Sequence, residues 1–227
     1  MTDRSKLTTS LEQEFSGRSI YTSPDEVPAD YPYPSCWQGF GISPEAEIWL
    51  PAQWSEYKDL LPITLTLLQR CLIGTVLLAE REPSLIYIFE DTEDYYYYIG
   101  GAPLSTRNST PTQTHKLPRD IRELYLNLHN GFTFHPSNSM GPLPVEQLAE
   151  ILDLYDGSNP GFPSGLTGVL HNGAGDYLCI IPDTDSEHAA IWWHELPDRL
   201  ESGIDFWDVM DTWISIFLED IIIQRTL

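Results

Sequence analysis

Three runs of β-branched, aromatic and aliphatic residues follow one another along the chain: GTVLLAE (Gly74–Glu80), SLIYIFE (Ser84–Glu90) and DYYYYI (Asp94–Ile99). Only the breaks Arg-Glu-Pro and Asp-Thr-Glu separate them, and this pattern predicts a three-stranded antiparallel meander. Alternation along the Tyr95–Tyr98 run sends two rings to each face, so the outward pair is either a contact patch or an ordinary strand surface. Upstream, residues 1–19 are polar and unpatterned and read as a flexible lead-in. Residues 20–54 combine Pro24, Pro28, Pro32, Pro34, Pro44 and Pro51 with Tyr31, Tyr33, Trp37, Phe40, Trp49 and Trp54. Proline denies this stretch long helices, yet so many large aromatics need cover, so it is expected to wrap a core as irregular structure. Leu60, Ile63, Leu67, Leu68 and Leu72 suggest a helix within Ser55–Leu72, with Pro62 at a break or at its true start. Residues 100–116 are turn-rich and read as a linker or long loop.

The second part is patterned more regularly. Pro118 stands where a first helical turn tolerates it. Ile121, Leu124, Tyr125 and Leu128 then fall on one face, and Gly131 follows as a stop. A second helix is predicted from about Pro144 to Tyr155, with Leu148, Ile151, Leu152 and Tyr155 on its apolar face and Gly157 after it. Strands are expected over Gly165–Leu170, Asp176–Ile181 and His188–His194, with turns at Gly173, Gly175 and Asp183–Glu187. A last helix opens at Asp205 and runs to about Ile222, carrying the stripe Phe206, Met210, Trp213, Phe217 and Ile221. Asp205 and Asp208 sit at its start, where the helix dipole favours them.

The chain holds 34 acidic against 12 basic residues, a formal net charge of −22. From Glu123 onward seventeen carboxylates face two arginines, a net of −15. These acids are interleaved with Trp, Leu and Ile, so they are the wet side of folded elements rather than a solvating tail. Such a field repels nucleic acid and anionic membranes and speeds encounter with a strongly basic partner. Cys36, Cys71 and Cys179 are odd in number and lack paired spacing, which suits free thiols in a reducing compartment. With no signal-like or membrane-length apolar stretch, a cytoplasmic location is expected.

Catalytic and metal motifs are weak. Asp183, Asp185 and Glu187 match alternate positions of a calcium loop, but His188 stands where that loop needs glycine and His194 where it needs glutamate. His194-Glu195 begins like a zinc-protease helix, yet Asp198 occupies the place of its second histidine. His171 and Asp176 could meet across a hairpin, but two ligands do not make a site. No nucleophile elbow or phosphate loop is present, and Cys36 and Cys179 lack a neighbouring cation to lower a thiol pKa. No enzyme activity, metal or cofactor is therefore expected. Of the adjacent Trp192 and Trp193, alternation turns one inward and leaves the other as a possible partner anchor.

Leu117-Pro118-Arg119-Asp120-Ile121-Arg122-Glu123-Leu124-Tyr125, running on to Asn130-Gly131-Phe132, resembles the "LP, amphipathic helix, NG" opening of the SUKH superfamily, the Smi/Knr-like domains. A Pro-Leu-Pro lead into a helix within Gly141–Leu148, the Gly175-Asp176-Tyr177-Leu178 strand start, the aromatic strand Ile191–His194 and the Phe206-Trp207 helix follow in the family's order. The resemblance implies an α+β fold: a SUKH-like antiparallel sheet flanked by helices over 105–227, with 20–104 as an elaborated N-terminal region holding a second β-meander. It also implies a noncatalytic bacterial immunity protein that neutralises a secreted toxin, while fungal relatives resemble scaffold or regulatory proteins. A basic nuclease toxin fits the charge, because such enzymes must hold polyanions. The expected contact surface comprises Asp183, Asp185, Glu187, Asp198, Glu201, Asp205 and Asp208, with Trp192 or Trp193 as anchor. A noncatalytic scaffold binding an endogenous partner would display the same acids.

Overall fold

The computed structural model describes residues 4–42, 48–91, 94–155 and 161–223, the last four as backbone only. Pro44, the Thr92-Glu93 part of the second break, Gly157 and the Ile221 side chain, each named in an expectation above, lie outside the described residues. In chain order the elements are α1 (Arg4–Glu14), β1 (Ser19–Tyr21), α2 (Pro62–Cys71), β2 (Leu72–Ala79), β3 (Ser84–Glu90), β4 (Tyr95–Gly101), α3 (Arg119–Asn127), β5 (Phe132–His135) and β6 (Gly141–Pro142). Then come β7 (Ala149–Glu150), α4 (Ile151–Leu154), β8 (Thr167–His171), β9 (Tyr177–Ile180), β10 (Ala189–Trp192), β11 (Leu200–Ile204) and α5 (Phe206–Ile223). Among the described residues they form two antiparallel sheets, ordered β1-β2-β3-β4-β5 and β11-β10-β9-β8-β6, with β7 also on β8. The fold is α+β.

The predicted meander is β2, β3 and β4, in register Val76↔Ile86↔Ile99. Its strands are nearly continuously apolar because both faces are covered. Leu77, Leu85, Tyr87, Phe89 and Tyr98 point into the main core, while Val76, Leu78, Ile86, Ile88, Tyr95 and Tyr97 point the other way. That second face is covered by Leu7 and Leu11 of α1 and by Phe15. The segment expected as a flexible lead-in is thus a helix, because the outward side of an apolar sheet needs a cover. For the same reason the outward tyrosines Tyr95 and Tyr97 are buried and form no contact patch.

The sequence alone placed residues 100–116 in a loop, but Gly100 and Gly101 end β4 and form a seam with the second part of the chain. There β5 pairs with β4 in register Tyr98↔Phe134 and Gly100↔Phe132. The Asn130 amide donates to the Gly101 carbonyl, and the Gly101 amide to the Gly131 carbonyl, each at 3.2 Å. A Cβ on Gly100 would sit 2.6 Å from the His129 ring, and one on Gly101 2.5 Å from the Asn130 carbonyl oxygen. Only glycine admits this approach. His129 itself is fully buried, with Nδ1 3.0 Å from the Gly101 carbonyl and Nε2 2.7 Å from the Tyr87 hydroxyl. Trp54 donates its indole N–H to that same hydroxyl at 2.9 Å. The chain of donors is complete only with a neutral imidazole, donating from Nδ1 and accepting at Nε2.

Helix α2 begins at Pro62, so proline marks the true start of the helix expected within Ser55–Leu72. Ala52–Tyr57 before it is a 3₁₀ turn. Leu61, at its N-cap, has no capping side chain. Asp211 of α5 supplies the cap from the far end of the chain, accepting from the amides of Thr64 at 2.7 Å and Ile63 at 3.0 Å. The helix predicted over Pro144–Tyr155 is broken: Val145–Gln147 is a 3₁₀ turn, Leu148 is extended, and Ala149–Glu150 pair with β8 before the short α4. A ladder to β8 outweighs the local helical periodicity. Strand β11, with Glu201 and Ser202 exposed along a sheet edge, carries no apolar alternation that predicts it.

Replacing Asp211 by Ala should lower the unfolding free energy by about 2 kcal/mol in urea titrations, since the buried Thr64 amide and the half-buried Ile63 amide lose their acceptor. Burial lowers the His129 pKa from 6.5 to about 4. The unfolded chain therefore binds the extra proton first, and stability falls as pH drops from about 6.5 to about 4, by on the order of 3 kcal/mol from this one residue. His129→Gln should flatten that part of the pH–stability curve relative to the parent chain.

Candidate functional site

The start of α3, the turn after β9 and the 3₁₀ segment before α2 meet at one surface. Between them lies a cleft of about 590 Å³, lined by Glu56, Tyr57 and Leu60, by Pro118, Arg119, Asp120 and Glu123, and by Thr184, Asp185, Ser186 and Glu187. A second cleft of about 470 Å³ shares Pro118 and Thr184 with it and continues past Lys116, Gly165, Ile180 and Asp183. The two make one groove along the N-terminal end of α3.

Asp120 holds this corner together. Its Oδ2 accepts from the Trp207 indole N–H of α5 at 2.6 Å and from the Ser186 hydroxyl. Tyr57 packs on Trp207 with centroids 5.8 Å apart and planes at 33°. Burial raises the Tyr57 phenol pKa, and the charges of Glu56, Glu123 and Asp120 raise it further. Glu123 accepts from Asn127 Nδ2 at 2.9 Å. Asp185 lies 2.5 Å from His188 Nδ1, so a hydrogen bond from His188 lowers its pKa and raises that of His188. Among the described residues none of Glu56, Asp120, Glu123, Asp183, Asp185 and Glu187 forms an ion pair with a lysine or arginine.

Of the acids expected at a contact surface, the groove gathers Asp183, Asp185 and Glu187, all exposed. Of the others, all but Asp208 have structural attachments. Asp198 accepts from the Tyr155 hydroxyl, and Glu201 from the Trp193 indole at 2.8 Å. Asp205 caps α5, accepting from the amides of Trp207 at 2.8 Å and Asp208 at 3.1 Å, while Asp208 stays exposed. Trp192 is the inward member of its pair: it packs with Ile151, Leu166 and Cys179 and donates to the Pro197 carbonyl, which removes it as an anchor. Trp193 is half-buried.

Asp176 does not meet His171. It accepts from His194 Nδ1 at 2.7 Å, the His194 amide at 3.0 Å and Asn172 Nδ2 at 2.8 Å, while His171 Nε2 lies 2.8 Å from the Asn138 carbonyl. Burial works to raise the Asp176 pKa, but these donors hold it below the usual carboxylate range. Among the described residues no three acidic, histidine or cysteine side chains converge as a metal site. Burial raises the pKa of both the Cys36 and Cys179 thiols. Sequence reasoning missed Glu56, Asp120 and Glu123 as groove residues. Asp120 reads locally as an acid favouring a helix N-terminus, and its bonds to Ser186 and Trp207 arise only in the fold.

Asp205→Ala should cost about 1 kcal/mol of unfolding free energy through the lost cap of α5. Chemical denaturation of the variant checks this.

Residues 114–216 match the sequence profile of the SMI1 / KNR4 family (SUKH-1). No curated protein and no solved structure matches the chain. The matched segment contains α3 and all of the second sheet, and it supplies the Asp120, Ser186 and Trp207 corner of the groove. The similarity to the SMI1 / KNR4 family (SUKH-1) thus covers residues 114–216, a little under half of the chain.

Proposed function

We propose that this protein is a noncatalytic immunity protein that binds a cognate secreted toxin domain, a basic nuclease, and covers its active site or substrate-binding surface. One observation carries the reading: the acid-lined groove at the start of α3, whose carboxylates have no lysine or arginine partner among the described residues. Exposed acids that are not internally neutralised keep their field available to an approaching molecule, and a net charge of −22 extends it. A nuclease active site is basic because it must hold phosphates, so it is attracted to the same surface. Among the described residues no helix is long and apolar enough to cross a membrane, and the proposed neutralisation takes place in the cytoplasm.

Coexpression with the toxin domain encoded beside this gene should restore cell survival, and unchanged killing despite soluble expression of both proteins counts against the reading. Reversing Asp183, Asp185 and Glu187 together to lysine should slow association by about tenfold at low ionic strength and reduce its salt dependence. Stopped-flow association rates at several salt concentrations measure both effects, and an unaltered rate moves the interface elsewhere.

A further inference from the structure

We propose that the turn between β8 and β9 modifies itself: the Gly173 amide nitrogen attacks the Asn172 side-chain amide, and Asn172 is converted through a succinimide into aspartate and isoaspartate. This goes beyond the immunity reading and does not depend on it. The chain contains the tripeptide His-Asn-Gly twice, at His129–Gly131 and at His171–Gly173, so one sequence stands in two settings. A glycine after asparagine has no Cβ to obstruct attack by its nitrogen. The surroundings of the two copies decide between them.

Around Asn172 each reacting atom has the partner that the reaction needs. The Gly173 N–H, which must lose its proton, donates to His171 Nδ1 at 3.3 Å. His171 Nε2 lies 2.8 Å from the Asn138 carbonyl and so carries the ring proton, which leaves Nδ1 as a basic lone pair aimed at the nucleophile. Burial lowers the His171 pKa, so that lone pair is free of a proton at neutral pH. Asn172 Oδ1, where negative charge develops, accepts from the Ala174 amide at 2.9 Å and the Asp176 amide at 3.2 Å, which together form an oxyanion hole. Asn172 Nδ2, the leaving nitrogen, donates to Asp176 Oδ2 at 2.8 Å. Against the cost of its burial, Asp176 is kept ionised by its His194 and Asn172 donors, and its charge stabilises a departing protonated nitrogen. Gly173 and Ala174 are exposed, so water reaches the turn.

The conversion balances with water alone. His171 takes the Gly173 proton, the bond from Gly173 N to Asn172 Cγ forms, and the carbonyl electron pair moves onto Oδ1. Collapse of that oxyanion breaks Cγ–Nδ2, and ammonia leaves with the proton that His171 took. Water then opens the succinimide: cleavage at Cγ gives aspartate, and cleavage at the backbone carbonyl gives isoaspartate. The net change is loss of ammonia and gain of water, with one new carboxylate beside Asp176, which exchanges a donor for a like charge. Asn130 has the opposite setting. It is 3% exposed and its Oδ1 accepts from one amide, that of Val145. The Gly131 N–H donates to the His129 carbonyl at 3.0 Å, while the His129 ring is turned to Gly101 and Tyr87. The Gly131 nitrogen thus faces a carbonyl where the Gly173 nitrogen faces an imidazole.

The test incubates the full chain at neutral pH, folded and in guanidinium chloride, and follows the amide-to-acid mass gain at each Asn-Gly pair by peptide mapping. A methyltransferase specific for isoaspartate identifies the second product. Unfolded, the two sites should convert at similar rates. Folded, Asn172 should convert about tenfold faster than in the unfolded chain, and Asn130 should stay intact. His171→Gln, which cannot take the proton, should slow conversion of Asn172 in the folded chain by about tenfold while the NMR spectrum keeps its native dispersion. Conversion of Asn172 in the folded chain no faster than in the unfolded one overturns the proposal, and this comparison needs no variant. A folded His171→Gln chain that converts at the parent rate overturns it as well.

Discussion

The approach of the Gly100-Gly101 backbone to His129 and Asn130 is the contact on which the rest of the molecule depends. It lets β5, which follows α3, add to the edge of a sheet built from the N-terminal region. From that junction the main core runs without interruption from Trp37 to Leu218. His129 sits in this junction as a buried polar residue, and its cost is offset because both ring nitrogens have partners. Asn130 next to it also serves both sides. Its side-chain oxygen takes the Val145 amide at 2.9 Å and its nitrogen donates to Glu146 at 2.8 Å, and Glu146 in turn binds Arg107. Arg107 also lies 3.3 Å from Glu82 in the β2–β3 turn, so a polar strap runs over the seam.

A chain this acidic must fold against its own repulsion, and it does so by separating two kinds of carboxylate. Asp211, Asp205, Asp120 and Asp176 accept hydrogen bonds from backbone amides or from indole, hydroxyl and imidazole groups, and they set the positions of helices and turns. Glu56, Asp183 and Glu187 are exposed and have high-dielectric surroundings, where like charges separated by more than about 8 Å are largely screened at physiological salt. The first group places the second around the groove. Charge there is a consequence of geometry fixed elsewhere.

The sequence was legible where one element's pattern decided its own structure. The meander runs, the Ile121 to Leu128 stripe of α3 and the Phe206 to Phe217 stripe of α5 are local periodicities, and the elements formed where those patterns stood. It was illegible where a distant partner decided. Leu7, Leu11 and Phe15 are diluted among polar residues, and only the uncovered face of the meander makes a helix of the first two and packs Phe15 just after it. Ala149 and Glu150 sit within a helical repeat, and β8 draws them into a strand. The groove has the same character: Asp183, Asp185 and Glu187 share one loop and could be picked out, whereas Glu56 and Asp120 lie far from it in sequence.

That distance has a functional meaning. Glu56, Tyr57 and Leu60 precede the matched family segment, yet they form one wall of the larger cleft. They reach it because α2, capped by Asp211, is packed on α5, and because Tyr57 lies on Trp207. Trp207 belongs to α5, and its indole is also what fixes Asp120. The N-terminal region is thus attached to the matched segment through the same residue that organises the groove. A domain consisting of the matched segment alone would keep the acids of α3 and of the 183–187 turn but lack the wall that Glu56, Tyr57 and Leu60 supply.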